Sequence, residues 1–214
     1  MPAEPERTRA GSSWRPATST RVHPATARRV SAGGRRRSSV GTVGGYRWPV
    51  HPSVQRVADA LARAGARGEV RELDDSTRTA ADAAAALGCA VGAIANSLVF
   101  VADGEPVLVL TSGAHRVDTA HLAGAMGWSS LRRATADEVR AATGQPIGGV
   151  APLGHRSALT VLIDADLRAF PTIWAAAGTP HSIFPTDFDE LRRVAAAREV
   201  RVEAPAAAGG SSPA

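Results

Sequence analysis

Lysine is missing from this chain of 214 residues, and all 25 of its basic residues are arginine. Cysteine occurs once, at Cys89, which excludes an intrachain disulfide and fits a reducing compartment. Cys89 follows Leu87-Gly88 at the end of an alanine-rich stretch and reads as a buried packing thiol. No apolar run approaches the roughly 18 residues needed to span a bilayer, so no membrane partner is expected. The N-terminus lacks the apolar stretch of a secretory signal. C-x-x-C, H-E-x-x-H and G-x-S-x-G are all absent, as are a Walker loop and a G-x-G-x-x-G after the first strand. No metal and no cofactor is therefore expected.

What is present is unevenly spread. Residues 1–45 hold nine arginines and two glutamates, whereas the rest of the chain holds sixteen arginines and eighteen acids. The formal charge of +5 thus belongs to the tail, and the body is slightly acidic. A slightly acidic body argues against a broad nucleic-acid footprint, which needs many phosphate contacts; a small contact such as one RNA end stays open. The tail is rich in Arg, Ser, Pro, Gly and Thr without apolar periodicity, so residues 1–45 are expected to be disordered. Its composition is also that of a transit peptide, and a start codon near Val50 would leave it untranslated. Order is expected over 46–204, with 205–214 frayed.

Within the body, His51-Pro52-Ser53 opens a helix to about Ala64, with Val54, Val57, Ala58, Leu61 and Ala62 on one face. Glu69–Leu73 alternates as a short strand. Thr79 caps a helix that Gly88 stops. A helical turn at Ala93–Ala95 leads into a strand over Ser97–Val101. Asp103-Gly104 then makes a hairpin with Val107–Thr111. Asp118 or Thr119 caps a helix to Met126, and Trp128–Leu131 is an edge strand. Thr135-Ala-Asp-Glu138 is a capping box for a helix ended by Gly144. Strands follow at Leu159–Ile163, Thr172–Ala176 and Ser182–Phe184. Thr186 then caps a last helix, Asp187 to about Ala197. Hairpins mixed with helices, without a regular βαβ rhythm, predict an α/β fold with a mixed, curved central sheet and helices packed around it.

The chain is organised around Gly148-Gly149-Val150-Ala151-Pro152-Leu153-Gly154. Glycine at 148 and 149 permits positive φ and the close approach of another molecule to bare N–H groups, and Pro152 holds Ala151 extended. The stretch is either a tight structural connection or a loop whose amides hold a carbonyl or phosphate oxygen. Six histidines are scattered. His23 lies in the tail, His51 at a cap, His121 in a helix, and His155 reads as exposed. His115 and His181 lie in polar connections beside strand ends, where sites tend to be built.

The succession Ile94-Ala-Asn-Ser-Leu-Val-Phe100, Leu108-Val-Leu-Thr-Ser-Gly113, Arg116-Val-Asp118, Gly148-Gly-Val-Ala-Pro-Leu-Gly154 and Ile163-Asp164 resembles the YbaK/prolyl-tRNA-synthetase-associated domain across roughly residues 51–200. The resemblance implies a deacylase that hydrolyses the ester joining a wrong amino acid to its tRNA, usually tRNA-Pro. Its partners would be the aminoacyl-tRNA acceptor end and a synthetase, and its compartment the cytoplasm. Monomer and dimer are both open. It further implies that Gly148, Gly149, Val150, Ala151 and Pro152 hold the aminoacyl carbonyl and that His181 lines the pocket, where it would position water or hydrogen-bond the substrate. Asp164 matches a strand-end aspartate that braces the loop. Ser112, His115 and Arg116 join the expected substrate-binding set. One departure stands out: where the family carries a lysine just ahead of a strand, this chain has Asn96. Asparagine offers neutral hydrogen bonds of about 1 kcal/mol against roughly 1.5–3 for charged ones. Arg116 is the candidate replacement charge. The alternatives are a non-catalytic relative that binds aminoacyl-tRNA or a synthetase, and a hydrolase or binder of another small aminoacyl compound.

Overall fold

Helix boundaries follow the caps. In the computed structural model, which describes residues 28–30, 40–43, 46–73 and 79–205, α1 (Pro52–Arg63) starts where His51 Nδ1 accepts the Ser53 N–H at 3.2 Å. Its buried stripe is Val54, Val57, Ala58 and Leu61. Capping boxes at Thr79/Asp82 and Thr135/Glu138 open α2 (Ala80–Leu87) and α4 (Ala136–Thr143). The glycines expected to stop them, Gly88 and Gly144, are left-handed C-caps. α3 (Thr119–Met126) is capped by Asp118, which accepts the Ala120 and His121 N–H groups. α5 (Phe188–Val194) closes the set. Among the described residues no helix is long and apolar enough to cross a membrane.

The strands are β1 (Arg28–Val30), β2 (Val40–Val43), β3 (Tyr46–Pro49), β4 (Val70–Glu72), β5 (Ile94–Ala102), β6 (Glu105–Ser112), β7 (Leu131–Arg133), β8 (Thr160–Asp164), β9 (Ile173–Ala176), β10 (Ser182–Thr186) and β11 (Arg198–Val200). Nine of those described form one mixed sheet in the order β1-β4-β10-β9-β5-β6-β8-β11, with β7 paired to the far end of β5. β5–β9, β6–β8 and β8–β11 are parallel, and the remaining pairs are antiparallel. β2 pairs with β3 separately. The mixed α/β architecture is the expected one.

β6 is central because both of its faces are buried. Leu108 and Leu110 enter the larger core with α1, α4 and α5, while Val107 and Val109 enter a second core with Leu122 of α3. A third, small cluster joins Ala83 and Ala84 of α2 to Ile94. Each fully buried side chain of this size contributes about 1.5–3 kcal/mol, so the sheet needs helices on both faces. The β5–β6 turn has both central residues left-handed, Asp103 at φ 48° and Gly104 at φ 94°, as a two-residue hairpin requires.

Several elements differ from expectation. The helical turn falls at Val91–Ala93, so β5 starts earlier, at Ile94. The edge strand begins at Leu131 rather than Trp128. The Trp128 N–H closes α3 on Ala123, and the Ser129 and Ser130 N–H groups bind the Asp103 carboxylate. Asp187, not Thr186, caps α5 by accepting the Glu190 N–H, while the Thr186 hydroxyl donates to the Glu190 carboxylate. α5 stops at Val194, Ala196 turns left-handed at φ 48°, and β11 pairs parallel to β8. β11 is Arg-Glu-Val, with no apolar alternation to reveal it; main-chain pairing forms it. β1 and β2 lie inside 1–45, the segment expected to be without structure. β1 docks on the open edge of β4, where ladder bonds need no apolar pattern. The rest of that segment, and 206–214, lie outside the described residues.

The glycine stretch packs tightly. A Cβ on Gly149 would lie 2.5 Å from the Thr179 Cα and carbonyl carbon, so only glycine fits there. Gly148 sits at φ +84° and Gly154 at φ +79°, the latter against Val57. Ala151 is fully buried, and its N–H donates to Gln145 Oε1 at 2.6 Å. His155, expected to be exposed, is half-buried, and its Nε2–H donates to the Ala151 carbonyl at 2.7 Å. Burial pushes its pKa down, against that hydrogen bond.

Gly149→Ala is expected to lose about 1–3 kcal/mol by overpacking against backbone that cannot yield. Gly124→Ala, at an exposed helical site where nothing lies within 4 Å of the new Cβ, should gain up to about 1 kcal/mol. Urea midpoints of the two variants check both signs. Hydrogen bonds from Arg132 and from the Thr135 N–H hold the Glu138 carboxyl at about 2. A depressed carboxylate stabilises the fold above its ordinary value near about 4.3, and that contribution is lost as pH falls through about 2. Glu138→Gln should therefore flatten the fall in urea midpoint between those two values.

Candidate functional site

A cavity of about 220 Å³ opens between α2, the start of β5, β9 and the glycine loop. Parallel pairing of β5 with β9 sets Ile94 opposite Trp174, and Asn96 lies two residues further along β5. Thr79, Ala80, Ala83 and Leu87 of α2 form one wall. Ile147, Gly148 and Val150 form another, and Thr179, Pro180 and Ser182 complete the rim. Among the described residues, none of those lining it carries a charged side chain. Ile147 is 61% exposed, an apolar lip at the opening.

The loop's amides divide into two groups. The Gly149 N–H donates to the Pro146 carbonyl at 3.1 Å and the Ala151 N–H to Gln145, so both are engaged within the protein. Pro152 has no N–H to offer. The Gly148 and Val150 N–H groups donate to no acceptor among the described residues, and both residues line the cavity. The same holds for the Asn96 side chain, and the buried Ser97 hydroxyl beside it is likewise unpartnered among the described residues. Four uncommitted polar groups in an apolar, uncharged pocket suit a small, neutral, hydrogen-bonding ligand, because unpaired polar groups are costly there.

The expected site residues do not all converge. Gly148, Val150 and Asn96 line one cavity, and Gly149 lies against its rim at Thr179. Asn96 stands within β5, opposite Thr111, rather than ahead of the strand. His181 is exposed and outside the lining; its carbonyl accepts the Leu73 N–H at 2.7 Å. Arg116 is exposed beside the C-terminal segment, where its N–H binds Glu203, and does not supply the cavity with charge. The cation brought to the cavity's side is Arg71, whose guanidinium lies 5.4 Å from the Trp174 ring centroid. Sequence reasoning missed Trp174, Thr179, Ile147 and the α2 wall. A tryptophan followed by three alanines, Trp174 to Ala177, was the available signal.

Ser112, His115 and Asp164 assemble elsewhere. Asp164, 1% exposed at the end of β8, accepts the Ser112 N–H at 3.1 Å and the Thr111 hydroxyl at 3.3 Å. It thus braces the end of β6 rather than the glycine loop. The Ser112 hydroxyl donates to the Gly92 carbonyl at 2.9 Å. His115 Nδ1 meets Asp164 Oδ2 at 2.8 Å. Burial opposes a charged His115, but the Asp164 hydrogen bond and the charges of Asp164, Glu203 and Asp166 prevail and raise its pKa. Cys89 packs half-buried beside α2 and Trp174, and burial pushes its thiol pKa up.

Comparison with known proteins converges on one family. The model of the aminoacyl-tRNA editing domain matches residues 74–194. Proline–tRNA ligase of Pelobacter propionicus is 32% identical over 120 residues, 52% of this chain and 21% of the ligase. The chain thus spans about a fifth of the length of such ligases. Protein YwhH of Bacillus subtilis is 30% identical over 140 residues, 65% of this chain and 88% of that protein. A crystal structure of a proposed trans-editing enzyme for prolyl tRNA synthetase superposes with a TM-score of 0.67 at 42% identity, covering 73% of this chain and 99% of that one. With the family model matching more than half of its length and the shared mixed α/β fold, the chain belongs to the aminoacyl-tRNA editing domain family.

Proposed function

We propose that the chain is a trans-acting, cytoplasmic deacylase that removes a wrong amino acid from tRNA, with tRNA-Pro as the natural carrier. The observation that carries this reading is the pair of uncommitted N–H groups, Gly148 and Val150, beside an uncharged cavity in a member of the editing family. The names of the proline–tRNA ligases and of the trans-editing neighbour support the choice of tRNA.

The chemistry asks little of side chains. Water attacks the ester carbonyl, negative charge grows on the carbonyl oxygen, and the bond to the ribose oxygen breaks as that oxygen takes a proton. Free amino acid and tRNA result. An amide aimed at the developing oxyanion is worth about 2.7–4 kcal/mol where water is excluded. Gly148 and Val150 take that role; Gly149 and Pro152 shape the loop, and Gln145 holds it through Ala151. Asn96 orients the amino group or terminal ribose by neutral hydrogen bonds. The adjacent ribose hydroxyl positions the water, since His181 stands outside the cavity, at its rim. Arg71, stacked on Trp174, supplies the charge that draws in the RNA end. Editing matters because one methylene is worth only about 1–3 kcal/mol in a synthetic site.

A non-catalytic relative that only binds aminoacyl-tRNA is the second reading, favoured by the lack of a charged group among the described lining residues. A panel of mischarged tRNAs separates the two. The parent should release amino acid faster than buffer alone, with Asn96→Ala about ten-fold slower. Equal ester loss with parent, Asn96→Ala and Gly149→Pro would defeat the deacylase reading, and saturable binding without ester loss would establish the binder. Arg71→Ala should raise KM several-fold, leave kcat unchanged and flatten the salt dependence of KM by about one phosphate contact.

A further inference from the structure

We propose that His115 and Asp166, backed by the buried Asp164, form a binding site for a divalent transition-metal ion of the Zn²⁺ type, separate from the editing cavity. The three residues come from two parts of the chain: His115 from the turn after β6, and Asp164 and Asp166 from the end of β8 and the 3₁₀ turn Ala165–Ala169 that follows it. One donor atom from each lies within 4.8 Å of the others.

The geometry divides the work among them. Asp164 has a side chain only 2% exposed and is occupied by the Ser112 N–H, the Thr111 hydroxyl and the Asp166 N–H. It orients the imidazole by accepting Nδ1–H at 2.8 Å. In the neutral imidazole, the form a metal binds by displacing the Nε2 proton, the Nε2 lone pair is directed away from Asp164, and Nε2 stands 3.7 Å from Asp166 Oδ2. That gap is too long for a hydrogen bond. It is close to the separation of about 3.3 Å between two ligand atoms on one tetrahedral ion with bonds near 2.0–2.1 Å. A carboxylate behind a histidine whose other nitrogen ligates is the usual outer support of such a site.

Access and charge agree. The His115 and Asp166 side chains are 23% and 59% exposed. They border a cavity of about 190 Å³ also lined by Glu203 and Arg201. Three carboxylates against one guanidinium leave it net negative, with room for water and a further oxygen ligand. One imidazole with carboxylates suits zinc, cobalt or manganese better than magnesium or calcium, which take oxygen alone. No contiguous motif announces the site, because the fold assembles it.

The test uses the untagged full chain, stripped of metal, titrated with ZnCl₂ at neutral pH by calorimetry. Co²⁺ absorption then reads the ligand field, and nitrogen NMR identifies the histidine atom that shifts. One saturable site is expected. His115→Gln and Asp166→Asn should each weaken Kd at least tenfold, His121→Gln should leave it unchanged, and the shifted nitrogen should be His115 Nε2. Asp166 is exposed, so Asp166→Asn keeps the fold, as unchanged thermal unfolding without metal would show. Absence of saturable binding below millimolar Zn²⁺, or binding that survives both ligand substitutions, would overturn the proposal. Neither result bears on deacylation, which is read from a different cavity.

Discussion

The cavity beside the glycine loop depends on one close contact between backbones. Gly149 lies against Thr179 and Pro180 with no space for a side chain, and this approach sets the glycine loop against the β9–β10 connection. The loop has no ladder of its own to hold it. It is held by three hydrogen bonds, from Gly149 to Pro146, from Ala151 to Gln145, and from His155 to Ala151. Val150, Ala151 and Leu153 anchor it in the main core. A loop tied down in this way loses little freedom when a substrate arrives, which is the condition under which fixed dipoles stabilise charge well.

The uncharged lining follows from the same arrangement. Alanines on α2 and β9 leave a space that Trp174 also lines, and the polar groups of the described residues lining it are neutral. In such a pocket hydrogen bonds are stronger than in water, and unpaired ones are penalised. Asn96 offers this pocket short-range orientation without long-range attraction. Arg71, which is not among the lining residues, stacks on the lining tryptophan and brings a positive charge next to the pocket. Binding the RNA end and holding the ester would then be separate tasks for separate residues.

The second constellation shows what strand ends can do in a mixed sheet. β6 and β8 run parallel, so their C-terminal ends meet on one side, and Asp164 closes that end by accepting from Thr111 and Ser112. Its remaining hydrogen-bonding capacity orients His115. A buried carboxylate fixed by several donors is held in one orientation, which makes it a firm support for the imidazole.

Local chemistry was legible from residue order alone. Cap residues and stop glycines marked α2, α3 and α4 closely, because a cap is satisfied within four residues of itself. Asp103-Gly104 marked the hairpin for the same reason. The glycine stretch was visible as a place needing special backbone geometry. β11 and the shifted β7 were not visible, since their pairing is made by main chain against distant strands and leaves no apolar rhythm. Nor could residue order separate Asn96, Gly148 and Val150, which share a cavity, from His115 and Asp164, which share another. Partition into two sites is set by which strands lie side by side, and that is a property of the folded sheet alone.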